Sequence, residues 1–78
     1  MEGRDLIRQV GEAMYGAHWQ RPLARDLDVS DRLVRFWAAG DRKLPETLPP
    51  LLLGLLQERG NDLISTTALV ERYINRDA

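Results

Sequence analysis

This sequence predicts an all-α fold, five helices packed into one small compact domain. Three observations carry that expectation. Apolar residues recur at helical spacing along most of the chain. The breaks between those periodic stretches coincide with Gly16, Gly40, a proline-rich run over residues 45–50, and Gly60. Between the first two breaks, residues 18–37 divide into two short amphipathic halves around Asp28 and Val29.

Residues 5–15, DLIRQVGEAMY, read as the first helix, with Asp5 as its cap. Leu6, Ile7, Val10, Ala13 and Met14 form its apolar face; Gly11 weakens it, and Gly16 suits a left-handed C′ position. A second helix spans 19–27, with Pro22 tolerated in a first turn whose amides lack partners anyway. Its inward face is Leu23, Ala24 and Leu27. Ser30 is the expected N-cap of a third helix over 31–39, whose inward face is Leu33, Val34 and Trp37 and which ends at Gly40. Ala24 sits where the two helices must cross closely, and Val29 plugs the gap at the corner. That arithmetic is a helix-turn-helix.

The loop GDRKLPETLPP follows. A fourth helix begins between Thr47 and Leu51, its start blurred by Pro49 and Pro50, which disfavour helix in the residue before each. Leu48, Leu51, Leu52, Leu55 and Leu56 wrap widely around its axis, so it is expected to be the central buried helix and to end at Gly60. Asn61 or Asp62 then caps a last segment, LISTTALVERYIN. Its β-branched Ile64, Thr66, Thr67, Val70 and Ile74 would suit a strand. The set Leu63, Thr67, Val70, Ile74 favours a fifth helix.

Seventy-eight residues allow one domain, taken as residues 1–78, and a core of that size is marginal without support. With no cysteine, neither disulfides nor a thiolate zinc site supplies it, which leaves dimerisation. The longest apolar run, residues 51–56, is far too short to span a bilayer, and the N-terminal MEGRDLIRQV lacks a signal-peptide layout. A soluble, cytoplasmic protein is expected.

The net charge of −1 argues against a general nucleic-acid coat protein. Its distribution is uneven: residues 18–43 carry +2 and the remainder −3, a modestly basic stripe on an acidic body. Ten of the eleven basic residues are arginine, which base composition of the genome alone would explain. Catalytic chemistry finds little to work with. His18 is the single histidine and reads best as a helix-start residue near backbone or phosphate. Asp26, Asp28 and Asp31 cluster, but Asp28 turns a corner and Asp31 faces a helix dipole, so a metal site is not expected. Gly3, Gly11 and Gly16 make no phosphate loop. No enzyme activity and no cofactor are expected.

The pattern Gln20-x-x-Leu23-Ala24-x-x-Leu27-x-Val29-Ser30-x-x-x-Val34-x-x-Trp37 resembles the DNA-binding helix-turn-helix of phage repressor and Cro-type (Xre-like) regulators. The motif covers about a quarter of the chain, and the flanking segments suit that family's compact five-helix, repressor-like domain. It departs at the corner, where the family prefers glycine and this chain has Asp28; aspartate is among the side chains that best tolerate a left-handed backbone.

The resemblance implies that the third helix enters the major groove of double-stranded operator DNA, with Asp31, Arg32, Arg35 and Phe36 at base edges. Arg32 and Arg35 would each bond guanine in bidentate fashion. Asp31 would accept from cytosine N4 or orient Arg35, and Phe36 would meet a thymine methyl or simply be half-buried. Gln20, Arg21, Ser30, Arg42 and Lys43 are the phosphate candidates, each otherwise a solvated surface group. The implied function is sequence-specific transcription regulation by a homodimeric repressor or autoregulator of phage or bacterial type, with no membrane partner and no small-molecule ligand. Control would come from concentration and operator competition, there being no room for a sensing domain. Residues 62–76 are the expected dimerisation segment. Leu63, Ile64, Leu69, Val70, Tyr73 and Ile74 offer more apolar surface there than capping a four-helix core requires. The alternative is an antitoxin-like interaction module that keeps the fold and binds DNA only weakly.

Overall fold

A computed structural model of the chain describes residues 2–76. Four helices follow in order: α1 (Gly3–Tyr15), α2 (Gln20–Leu27), α3 (Asp31–Ala39) and α4 (Leu48–Ile74). There is no strand among the described residues, so the all-α class stands, but the expected five helices are four. Gly60 does not end a helix. Only Gly16 and Gly40 among the glycines take positive φ, and α4 runs through both Gly54 and Gly60 for 27 residues. A glycine permits a left-handed turn without requiring one. Across Gly60 the apolar stripe stays in helical phase, Leu56 and Leu63 lying two turns apart, and no proline removes an amide from the ladder. Its cost is about 1 kcal/mol relative to alanine. The last segment is therefore the second half of α4, helical as its spacing suggested but with no cap at Asn61 or Asp62.

The core is built by α1, α2, α3 and the first turns of α4. Ile7, Leu23 and Val34 are fully enclosed, with Val10, Met14, Trp19, Ala24, Trp37, Leu48 and Leu52 around them. Two further expectations need correction. Ala13, placed on the apolar face of the first helix, is exposed. Helix α4 is not the central buried helix: only Leu48 and Leu52 are buried, Leu55 and Leu56 lie at the edge of the core, and Leu51 and Leu53 are each 56% exposed. Leucines spread round an axis do not by themselves bury it, because burial needs neighbours on every side, and here α1 is the chief one.

Helix α1 begins at Gly3, earlier than Asp5, with Glu2 at its N-cap. Gly11 is more than a weak point within it. A Cβ built there would stand 2.1 Å from Cε3 of Trp19, so the indole lies directly on the glycine backbone. Helix α4 begins at Leu48 with its prolines in the first turn, where missing N–H groups leave no bond unmade. It runs alongside α1 in the same direction. Leu44 covers Gly3 at one end, and at the other Arg59 donates to the Met14 carbonyl at 3.4 Å and lies over the Tyr15 ring. Beyond Arg59, α1 is finished and α4 continues alone. Fifteen further residues at about 1.5 Å each carry it roughly 22 Å past its support. The molecule is accordingly long, 56 × 23 × 22 Å. Among the described residues no helix is long and apolar enough to cross a membrane.

Candidate nucleic-acid interface

The corner between α2 and α3 is made by local hydrogen bonds. Asp28 takes φ 58°, ψ 45°, the left-handed conformation. Its amide donates to the Arg25 carbonyl at 3.2 Å, and the Val29 amide to the Ala24 carbonyl at 3.0 Å. Together these form a Schellman closure, with aspartate where glycine is usual. Val29 then packs against the core, and Ser30 returns to an extended backbone and accepts from the Leu33 amide at 3.1 Å through its Oγ. The far end of α3 repeats the device: Gly40 is left-handed, its amide donating to Trp37 and that of Asp41 to Phe36. Helix α3 is thus nine residues closed at both ends, with Val34 and Trp37 buried and Leu33 packed at the core margin.

That outward face carries Arg32 and Arg35, both exposed, one turn apart. Phe36 is half-buried between two guanidinium groups, that of Arg32 at 5.4 Å and that of Arg42 at 5.2 Å from the ring centroid. The ring joins the loop after α3 to the helix itself. Each cation over the ring gains about 0.5–1 kcal/mol at such an exposed site and loses some rotamer freedom. Asp31 does not pair with Arg35, one of the two roles expected of it. Its carboxylate meets Arg21 Nε at 3.4 Å, linking the first turn of α3 to the first turn of α2. With the Arg21 side chain 83% exposed, the pair contributes little to stability; it sets where Arg21 rests.

The start of α2 is open. Trp19 caps it without any side-chain bond, and the Leu23 amide is the first to find a backbone partner, in Trp19. The amides of Gln20 and Arg21 lie in the first turn of α2, ahead of that bond, at a helix N-terminus where anions are favoured. Gln20, Arg21, His18, Asp31 and Arg35 surround one shallow hollow there. Ser30 is exposed, and its hydroxyl hydrogen remains available for donation although its oxygen serves the cap.

Arg42 is drawn in by Phe36 and also lines, with Lys43, Glu2 and Leu44, a hollow at the beginning of α1. Two residues missed in the sequence join the face as well. Arg8 of α1 borders a second hollow with Gln20 and Arg35, and Arg4 passes beside Gly40 and Arg42. Their signal was there: Arg4 and Arg8 are four apart, on the polar side of α1. The face therefore holds arginines from α1, α2, α3 and the following loop, with Asp31 beside Arg21 and Glu2 beside Arg4 and Arg42 as acids.

Behind this face, the Tyr15 hydroxyl donates to Asp26 and its ring receives Arg59. Its ionisation is pushed up to about 12, by partial burial first, then by the bond to Asp26 and that carboxylate's charge, against the opposing charge of Arg59. Tyr15 ties α1, α2 and α4 together and has no part in the basic face.

Comparison with known proteins gives no family. No family model, no curated protein and no solved structure matches this chain.

Proposed function

We propose that the chain binds double-stranded DNA sequence-specifically, as a transcription regulator of the phage or bacterial repressor kind, through a helix-turn-helix made of α2 and α3. The observation that carries this reading is the pair of exposed arginines, Arg32 and Arg35, on a short helix closed at both ends and packed by its opposite face. A cylinder of that size fits the major groove, and a fixed axial orientation turns two guanidinium forks into readers of guanine O6 and N7, each worth about 1–3 kcal/mol of discrimination. The open amides of Gln20 and Arg21 suit a phosphate at the groove edge, and Arg8 and Arg42 extend the contact along the backbone. Asp31 holds Arg21 beside the first turn of α3, next to those amides. With α3 in the major groove, the exposed rim of Phe36 would meet a thymine methyl.

The overall charge of −1 fits a protein whose non-specific affinity is low and whose selectivity rests on a few contacts. Titration of wild type and Arg35→Ala on the gene's own upstream DNA and on scrambled DNA, at several salt concentrations, tests the reading. The expected result is a loss of about 1–3 kcal/mol on the specific DNA alone. Equal losses on both DNAs would remove Arg35 as a base reader, and no preference by the wild type would remove the function. A second reading, an antitoxin-like interaction subunit, has the bare apolar end of α4 in its favour. It predicts that wild-type DNA binding is weak and indifferent to sequence.

A further inference from the structure

The two arginines of α3 stand in different surroundings. Arg35 belongs with His18, Gln20 and Arg21 around the hollow at the start of α2. Arg32 borders a separate hollow, lined with it by Ser30, Leu33, Phe36 and Arg42. Leu33 and Phe36 are each half-buried, so both keep part of their surface in that hollow. It is an apolar notch set between two guanidinium groups, and no carboxylate lines it. Both cations stay close to the ring, Arg32 Cζ at 5.4 Å and Arg42 Cζ at 5.2 Å from its centroid. An apolar floor in a charged rim gains nothing from water and is stabilised by an apolar group that fits it. In a major groove that group is the C5 methyl of a pyrimidine, while guanine O6 and N7 take the arginine fork. The spacing sets how far apart the two stand. The 5.4 Å from Arg32 to the ring is more than one base-pair step of about 3.4 Å and less than two. A fork bonded to guanine therefore leaves the ring beside the adjoining base pair.

We propose that Leu33 and Phe36 form a methyl-reading notch coupled to Arg32, so that the chain selects a guanine whose neighbouring base pair carries a C5-methyl pyrimidine. Thymine and 5-methylcytosine both present that methyl, whereas uracil and cytosine lack it. Thymine adds the O4 acceptor, which suits a notch edged by two cations; 5-methylcytosine has an N4 donor in its place. Methylation of a cytosine at this position therefore converts a poorly accepted base into a better one, which makes binding sensitive to the methylation state of the DNA. Leu33, whose spacing assigns it to the inward face, takes on a second duty at its exposed edge. The notch rests on the reading that α3 enters the major groove, and adds to it the identity of one base step.

Selection of duplexes from a randomised library by the full chain, followed by titration of the selected duplex and its single-base variants, tests it. The selected sites should carry a T·A pair beside a G·C pair. Replacing that thymine by uracil removes one methyl and nothing else, and should weaken wild-type binding about fourfold. Cytosine should bind more weakly still, and 5-methylcytosine should recover about fourfold over cytosine. Phe36→Ala should bind the thymine and uracil duplexes alike. Arg35→Ala, in the other hollow, should weaken both and keep their ratio. The base-analogue comparisons need only the wild type, so they decide the matter even should Phe36→Ala fail to fold. Selected sites without such a T·A neighbour would overturn the notch and leave base reading by α3 intact. Equal affinity for thymine and uracil, or for cytosine and 5-methylcytosine, would do the same, as would a thymine-to-uracil ratio that survives Phe36→Ala. A library from which no sequence is enriched would overturn the reading of α3 itself, and the notch with it.

Discussion

Gly11→Ala sets two opposed effects against each other at one atom. Gly11 lies inside α1, where alanine gains about 1 kcal/mol of helix propensity. The added Cβ would stand 2.1 Å from Cε3, 2.3 Å from Cδ2 and 2.8 Å from Cγ of Trp19, all rigid ring atoms. The indole is 5% exposed, so it has no free space to retreat into. Overpacking of this kind costs about 1–3 kcal/mol, and complete expulsion of a tryptophan about 3–5 kcal/mol. Sterics should win, with a net destabilisation of about 1–3 kcal/mol and a fall in Tm of roughly 5–20 °C for a domain this small. Urea titration gives the free energy, and fluorescence in a Trp37→Phe background reports Trp19 alone. Trp19 also seats the first turn of α2, so specific DNA affinity should fall while the protein remains folded. A Gly11→Ala protein that melts at or above the wild-type temperature with an unshifted Trp19 spectrum would refute the steric clash.

Asp28→Gly should raise stability by about 1 kcal/mol, because the residue sits at φ 58°; a lower melting temperature would mean that the carboxylate makes a bond that outweighs the backbone cost. Phe36→Ala should release both Arg32 and Arg42 from the ring and weaken specific binding, whereas Phe36→Leu, which keeps the volume without the π face, should fall between; identical titrations for the two variants would show that the cation contacts are idle. The Tyr15 proton is held up to about 12 from an ordinary 10, so the neutral phenol stabilises the fold fully below pH 10, and that contribution disappears as pH rises toward 12. Thermal melts of Tyr15→Phe against wild type across that range should show a shallower alkaline decline in the variant, and parallel curves would assign the bond to Asp26 no energetic weight. Arg21→Ala should lower affinity for specific and scrambled DNA alike and reduce the salt slope by about 1, as one lost phosphate contact does; an unchanged slope would place Arg21 off the backbone.

The sequence alone determined what depends on neighbours along the chain. Ser30 as a cap, Asp28 as a left-handed corner, Gly40 as a terminator and the inward set Leu23, Ala24, Val34 and Trp37 were all legible, because each is settled within a turn or two by hydrogen bonds and helical periodicity. The exposure of Arg32 and Arg35 followed from the same periodicity. The tertiary structure decided whatever depends on elements distant in sequence. The continuation through Gly60 was missed because glycine itself leaves both a stop and a continued helix open, and the phase of the stripe on either side had to be read across it. The exposure of Leu51 was not local either: its spacing is that of a core leucine, and nothing in α4 reveals that only one side of it would be covered. Likewise Asp31 had two arginines within reach, and the approach of α2 to α3 gave it Arg21 rather than Arg35. Arg8 reached the basic face, and Gly11 acquired its purpose, only when α1 packed across the start of α2. Periodicity specifies which side of a helix is apolar; the shape of the packed body determines what stands opposite it, and for the last fifteen residues of α4 that body ends before the helix does.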